Sequence, residues 1–141
     1  ELYNCPNMTQ LPDFLYDLPE LQSLNIACNR GISAAQLKAD WTRLADDEDT
    51  GPKIQIFYMG YNNLEEFPAS ASLQKMVKLG LLDCVHNKVR HLEAFGTNVK
   101  LTDLKLDYNQ IEEIPEDFCA FQAYTNRHLY SKVRNLPPAM K

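Results

Sequence analysis

The chain has 141 residues, 45% of them hydrophobic, and a formal net charge of -5. That size and apolar share fit one folded domain or one short repeat array, and no run approaches the roughly 18 uncharged apolar residues that a membrane helix needs. The acidic balance and the scatter of the basic residues argue against a phosphate-binding surface, so nucleic acid is not an expected partner.

Read from the N-terminus, ELYNCPNMTQ lacks the charged and apolar parts of a signal peptide. Its Leu2 and Cys5 start a spacing that recurs along the chain, and Met8, Leu11 and Pro12 continue it as a turn. Leu21, Leu24 and Ile26 precede Asn29, with Ile32 after it. The stretch SAAQLKADWTRLADDEDTGP then offers Ser33 and Gln36 as a capping box, with Leu37, Trp41 and Leu44 at helical spacing. This predicts a helix of about three turns near 33–45. The acidic run DDEDTG that follows has the wrong offsets for a calcium loop, because Phe57 stands where the last glutamate ligand would be; a solvated turn is expected.

The same apolar offsets return three more times. Ile54, Phe57 and Met59 precede Asn62, with Leu64, Phe67 and Pro68 after it. Leu79, Leu82 and Cys84 precede Asn87, with Val89 and Leu92 after it, and Leu101, Leu104 and Leu106 precede Asn109, with Ile111, Ile114 and Pro115 after it. Near the C-terminus KVRNLPP repeats only the turn half, through Val133, Leu136 and Pro137. The matching inward positions would be Asn126 and His128, so the last unit is expected to be degenerate or slipped.

Positions 5, 29, 62, 87 and 109 thus form one slot, spaced by 24, 33, 25 and 22 residues, which is a repeat interval with one insertion. In each L-x-L the alternate side chains point to one face, so Leu104 and Leu106 are expected inward and Asp103, Lys105 and Asp107 outward. No unit can bury its own apolar set alone, and stacking follows. An asparagine where the strand bends away can bond backbone groups that the bend leaves without partners; Cys5 in that slot is a weaker substitute.

Units sharing both residue type and offset resemble the leucine-rich repeat family over almost the whole chain. The irregular unit lengths, the CPNMTQLP turn and the helix are similar to repeats of bacterial cell-surface or secreted proteins and of plant immune receptors, the bacterial kind being favoured. The resemblance implies an α/β fold. It would be a right-handed solenoid of about five to six coils, with a parallel β-sheet on the concave face and an irregular or helical convex side. One domain over 1–141 is expected, with units at about 1–20, 21–53, 54–78, 79–100 and 101–122 and a degenerate 123–141. Neither end resembles a cap, and open ends expose core, so a fragment of a larger protein or ends covered by a partner is expected. Self-association through those ends is the corresponding alternative.

Candidate chemistry is sparse. Cys5, Cys28, Cys84 and Cys119 include no C-x-x-C pair; Cys5 and Cys84 read as small buried residues, and a Cys5–Cys28 disulfide is geometrically doubtful. His86, His91 and His128 lack metal-site spacing, and no catalytic, phosphate-binding or dinucleotide motif is present, so no metal, cofactor or enzymatic activity is expected. Glu65, Glu66, Glu112 and Glu113 read as a solvated edge. Asn7 heads an N-glycosylation pattern short enough to occur by chance.

What remains is the outward strand face. Ile56, Tyr58 and Gly60, Leu81, Asp83 and Val85, and Asp103, Lys105 and Asp107 form a panel with an apolar middle and an acidic side. Tyr61, His86 and Tyr108 stand just before the asparagines, with Tyr61 and Tyr108 roughly 10 Å apart by strand spacing. The family's usual business implies that Tyr58, Tyr61, Asp83, His86, Lys105, Asp107 and Tyr108 contact a protein or peptide. The slot residues Cys5, Asn29, Asn62, Asn87 and Asn109 are structural. A scaffold that docks through its ends, or a regulatory segment of a multidomain protein, are the other readings, and an extracellular or cell-surface location is favoured.

Overall fold

The structure is a computed structural model that describes residues 1–94 and 101–115 and the backbone of 126–128. Short outward-inward-outward runs form the strands β1 (Ser23–Asn25), β2 (Ile56–Tyr58), β3 (Leu81–Asp83) and β4 (Asp103–Lys105), joined by β5 (Asn126–His128). All pair in parallel, in chain order, as one five-stranded sheet. Parallel neighbours require each connection to return to the same sheet end, which is why every unit needs a turn and a return path.

The register aligns Leu24, Phe57, Leu82 and Leu104 in one row, each at most 2% exposed. Ile26, Met59, Cys84 and Leu106 form the next buried row, at 0% exposure. The first unit extends the pattern without a strand, through Leu2 N donating to Asn25 O at 2.8 Å and Asn4 N to Ala27 O at 3.0 Å. On the other edge β5 sets Arg127 beside Leu104, one residue past the Asn126 that the turn spacing assigns there. Cys119 and the turn residues Val133, Leu136 and Pro137 lie outside the described residues.

The insertion in the second unit is the helix α1 (Ala34–Asp46). Ser33 caps it by accepting from Gln36 N at 3.2 Å, and Leu37, Trp41 and Leu44 are buried at the expected spacing. Only half of the capping box forms. The Gln36 side chain instead donates its Nε2 to the buried Asp40 Oδ1 at 2.8 Å, a charge-assisted bond that draws it along the helix and away from Ser33 N. Asp40 Oδ2 in turn accepts from Leu11 N at 2.8 Å, tying the first unit's turn to the helix.

Beside it, burial pushes the Tyr16 hydroxyl's pKa up to about 12, and the Arg43 guanidinium lies 3.7 Å over the Tyr16 ring. Trp41 meets Phe57 and Phe67 edge-on, at 5.6 and 4.9 Å, and donates its indole N–H to Met76 Sδ at 3.3 Å. The acidic turn closes on itself, since Asp47 Oδ1 accepts from Asp49 N and Thr50 N at 3.1 and 2.8 Å. Gly51 is obligatory there, because a Cβ would lie 2.5 Å from Ala45 O. A one-turn helix α2 (Ser70–Leu73) fills the next return path.

The asparagine slot works as a ladder. Asn62 Nδ2 donates to Met59 O of its own unit at 2.9 Å and to Ile26 O of the preceding unit at 3.1 Å, while its Oδ1 accepts from Asn29 N at 2.7 Å. Asn29, Asn87 and Asn109 repeat both donations and accept from Cys5 N, Leu64 N and Val89 N. Each asparagine therefore satisfies polar groups that two stacked units would otherwise bury without partners. Cys5 holds the slot through its backbone, but its side chain is only half-buried and its Sγ lies 3.7 Å from Tyr3 O.

Candidate functional site

The residue before each ladder position has a left-handed backbone: Asn4, Cys28, Tyr61, His86 and Tyr108 have φ of 51°, 61°, 57°, 52° and 58°. Such a conformation costs a non-glycine residue about 1–2 kcal/mol. Hydrogen bonds hold it: Cys28 N donates to Gly60 O at 3.0 Å, Tyr61 N to Val85 O at 2.9 Å and His86 N to Asp107 O at 3.0 Å. The turn sits at the end of each strand and aims the side chain along the sheet's outward edge.

Residues sharing that backbone in neighbouring units project in parallel, at about the 4.8 Å spacing of strands. The rings of Tyr61 and His86 accordingly stack at 4.3 Å with 14° between planes, and those of His86 and Tyr108 at 4.2 Å with 15°. Tyr61 and Tyr108 remain 41% and 65% exposed. The left-handed turn is common to all these units and belongs to the fold. An aromatic side chain in it does not, since glycine or asparagine would satisfy that backbone at lower cost.

Beside the ridge lies a cavity of about 210 Å³, lined by Tyr3, Asn25, Ala27, Cys28, Tyr58, Gly60, Tyr61, Asp83 and Val85. It exists because the outward slot two before the ladder carries the small Ala27 and Gly60 between the larger Tyr3 and Val85. A Cβ on Gly60 would meet Val85 Cγ2 at 3.1 Å. Asp83 Oδ1 accepts from Val85 N at 3.1 Å, and Asn25 Oδ1 accepts from Ala27 N at 3.0 Å, so both polar walls are fixed by the strand ends. The neighbouring Cys28 thiol pushes the pKa of the Tyr3 hydroxyl up.

The expected surface residues therefore divide. Tyr61, His86 and Tyr108 form the ridge, and Tyr58, Tyr61 and Asp83 line the cavity. Lys105 is half-buried one strand beyond Asp83. Asp107, expected to face outward, is only 9% exposed: it occupies the same inset slot as the buried Gly60 and presents little surface. Tyr3 and Cys28 were not expected in a site; the signal that could have placed them is the run of small residues in one slot.

Cys5, Cys28 and Cys84 are free thiols, and burial pushes the Cys84 thiol's pKa well up. Among the described residues no three His, Cys, Asp or Glu side chains gather as a metal site would need, and no helix is long and apolar enough to cross a membrane. Glu65, Glu66, Glu112 and Glu113 are exposed, as expected. Lys38 lies 2.6 Å from Glu66, and its hydrogen bond holds that carboxyl below its ordinary pKa. A larger open cleft of about 350 Å³, among Arg90, His91, Gln110, Glu112 and Glu113, lies away from the ridge. Its walls are loop side chains of mixed charge, so the ridge and its cavity are the better-defined site.

Comparison with known proteins agrees with the repeat. Residues 100–121 match the family model described as Leucine Rich Repeat. The fold is similar to the crystal structure of a leucine-rich repeat protein from Bacteroides thetaiotaomicron VPI-5482, 99% identical, with a TM-score of 0.83 over 86% of this chain and 14% of that one. It is also similar to a leucine-rich repeat protein from Bacteroides eggerthii DSM 20697, 60% identical, with a TM-score of 0.80 over 85% of this chain and 20% of that one. The chain thus spans a fifth or less of the length of these relatives. No curated protein matches it.

Proposed function

This chain belongs to the leucine-rich repeat family, and we propose that it is a non-enzymatic interaction module that binds a protein or peptide across the outward face of its sheet. The carrying observation is the stacked Tyr61–His86–Tyr108 ridge, three rings kept in a left-handed turn that does not favour them. Strained, exposed, preorganised aromatics are what a binding hot spot uses, because their ordering cost is met on folding instead of on binding.

The finer architecture belongs to the same proposal. Sequential parallel strands with returning connections support a right-handed solenoid of five to six coils with this face concave, since such crossovers are almost always right-handed. The units at about 1–20, 21–53, 54–78, 79–100, 101–122 and 123–141 would then be one domain within a longer, cell-surface or secreted bacterial protein. A second reading is favoured by Phe14 and Leu18, which are 55% and 38% exposed on the first unit and would suit docking against a neighbouring domain. Light scattering separates the two, because end-docking predicts self-association of the isolated chain and a face-binding module predicts a monomer.

The face itself is tested by selecting peptides from a displayed library on the purified chain. Selected peptides should bind the Tyr61→Ala/Tyr108→Ala variant at least about tenfold more weakly, at unchanged circular dichroism. Equal binding to both proteins would remove the ridge from the site.

A further inference from the structure

The cavity beside Tyr61 has a chemistry that the ridge lacks. Three phenol rings, Tyr3, Tyr58 and Tyr61, line it with one carboxylate, Asp83, and no basic side chain is among the lining residues. The carboxylate is oriented by its Oδ1 bond from Val85 N, and its second oxygen carries no hydrogen bond among the described residues. Lys105 is its register partner on β4, yet the two form no ion pair; the ion pairs among the described residues are Lys38–Glu66, Arg43–Asp13 and Lys75–Asp46.

An apolar guest would cover this carboxylate without compensating it, at the full cost of desolvation. An anionic guest would be repelled. A cation is attracted both by the carboxylate and by the electron-rich faces of phenol rings within about 6 Å, and its aliphatic stem suits the apolar walls. The net charge of -5 acts in the same direction at longer range.

We propose that this cavity receives one cationic side chain, arginine or lysine, from the peptide or protein bound by the outward face, with Asp83 accepting from its charged head and Tyr58 and Tyr61 flanking it. The inference rests on the binding-face reading and gives that face a charge preference. The small Ala27 and Gly60 are the specificity device, because they open the space that a larger residue in their slot would fill.

The test is titration of the chain, its tyrosine rings labelled with carbon-13, by blocked Gly-Arg-Gly and Gly-Lys-Gly tripeptides and by their uncharged counterparts carrying citrulline and acetyl-lysine. The charged probes should give saturable shifts of the Tyr58 and Tyr61 signals with dissociation constants on the order of 1 mM, and the uncharged probes should bind at least about tenfold more weakly. Asp83→Asn keeps the oxygen that caps Val85 and should weaken the charged probes about tenfold. Ala27→Leu should abolish binding by filling the space, and Lys105→Met should tighten it. Equal binding of charged and uncharged probes, charged binding that survives Asp83→Asn, or no tyrosine shift with any probe would overturn the proposal. Tyr108 is not among the cavity's lining residues. A library-selected peptide that loses affinity on Tyr108→Ala but ignores Asp83→Asn would therefore retain the binding face and discard the cation receptor.

Discussion

Replacing Asn62 by alanine tests the ladder that holds the units in register. The side chain is 4% exposed and makes three hydrogen bonds, to Met59 O, Ile26 O and Asn29 N. The two carbonyls are shared: Asn87 Nδ2 also reaches Met59 O at 2.9 Å, and Asn29 Nδ2 also reaches Ile26 O at 2.7 Å. Alanine therefore leaves each carbonyl one donor but removes the acceptor of Asn29 N. The two bonds to carbonyls at about 0.5–1.5 kcal/mol each, and the unmet buried Asn29 N–H at about 1–3 kcal/mol, give a loss of roughly 2–6 kcal/mol. Against a typical total of about 5–15 kcal/mol, that is enough to unfold part of the array. Urea denaturation followed by circular dichroism measures it, with tryptophan emission reporting the adjoining unit through Trp41. A loss below about 1 kcal/mol would mean that apolar stacking alone sets the register and would refute the ladder argument.

Tyr61→Gly should change stability by no more than about 1 kcal/mol, because relief of the left-handed turn offsets a lost stacking contact worth about 0.5–1.5 kcal/mol; thermal melting checks it, and peptide binding should still fall. The Tyr16 hydroxyl, raised from 10.0 to about 12, contributes stability that is complete below pH 10 and lost as pH rises toward 12. At about 1.36 kcal/mol per pKa unit, the native chain should lose about 2 kcal/mol more than Tyr16→Phe over that window in urea melts. The Cys84 thiol titrates in the same direction but is common to both proteins. Glu66→Gln should cost less than about 1 kcal/mol, because its ion pair with Lys38 is 43% and 56% exposed; a larger loss would assign that contact a role in packing.

Much of the fold was legible because it rests on local, repeated chemistry. The inward rows at Leu24, Phe57, Leu82 and Leu104 follow from period-two alternation, and the ladder follows from an asparagine at a fixed offset. Helix α1 was visible from Ser33 and the Leu37, Trp41 and Leu44 spacing. Asp40 was not, since its partner Leu11 lies 29 residues away and no local rule points to it. The left-handed turns were hidden because tyrosine, histidine and cysteine do not favour them, and bonds between units impose that backbone against local preference. Tyr61, His86 and Tyr108 could be placed in one slot, but their stacking needed the turn geometry, and the cavity needed Ala27 and Gly60 to be seen side by side. The inset of Asp107 escaped alternation because it lies past the end of β4, where strand periodicity no longer governs exposure.

The most direct measurement is calorimetric titration of one library-selected peptide into the native chain and into Tyr61→Ser/His86→Ser/Tyr108→Ser, with both proteins matched by circular dichroism. An outward face that binds through the stacked ridge predicts at least about a hundredfold loss of affinity with the fold retained. Unchanged affinity in the folded triple variant would contradict it and move the binding site elsewhere on the molecule.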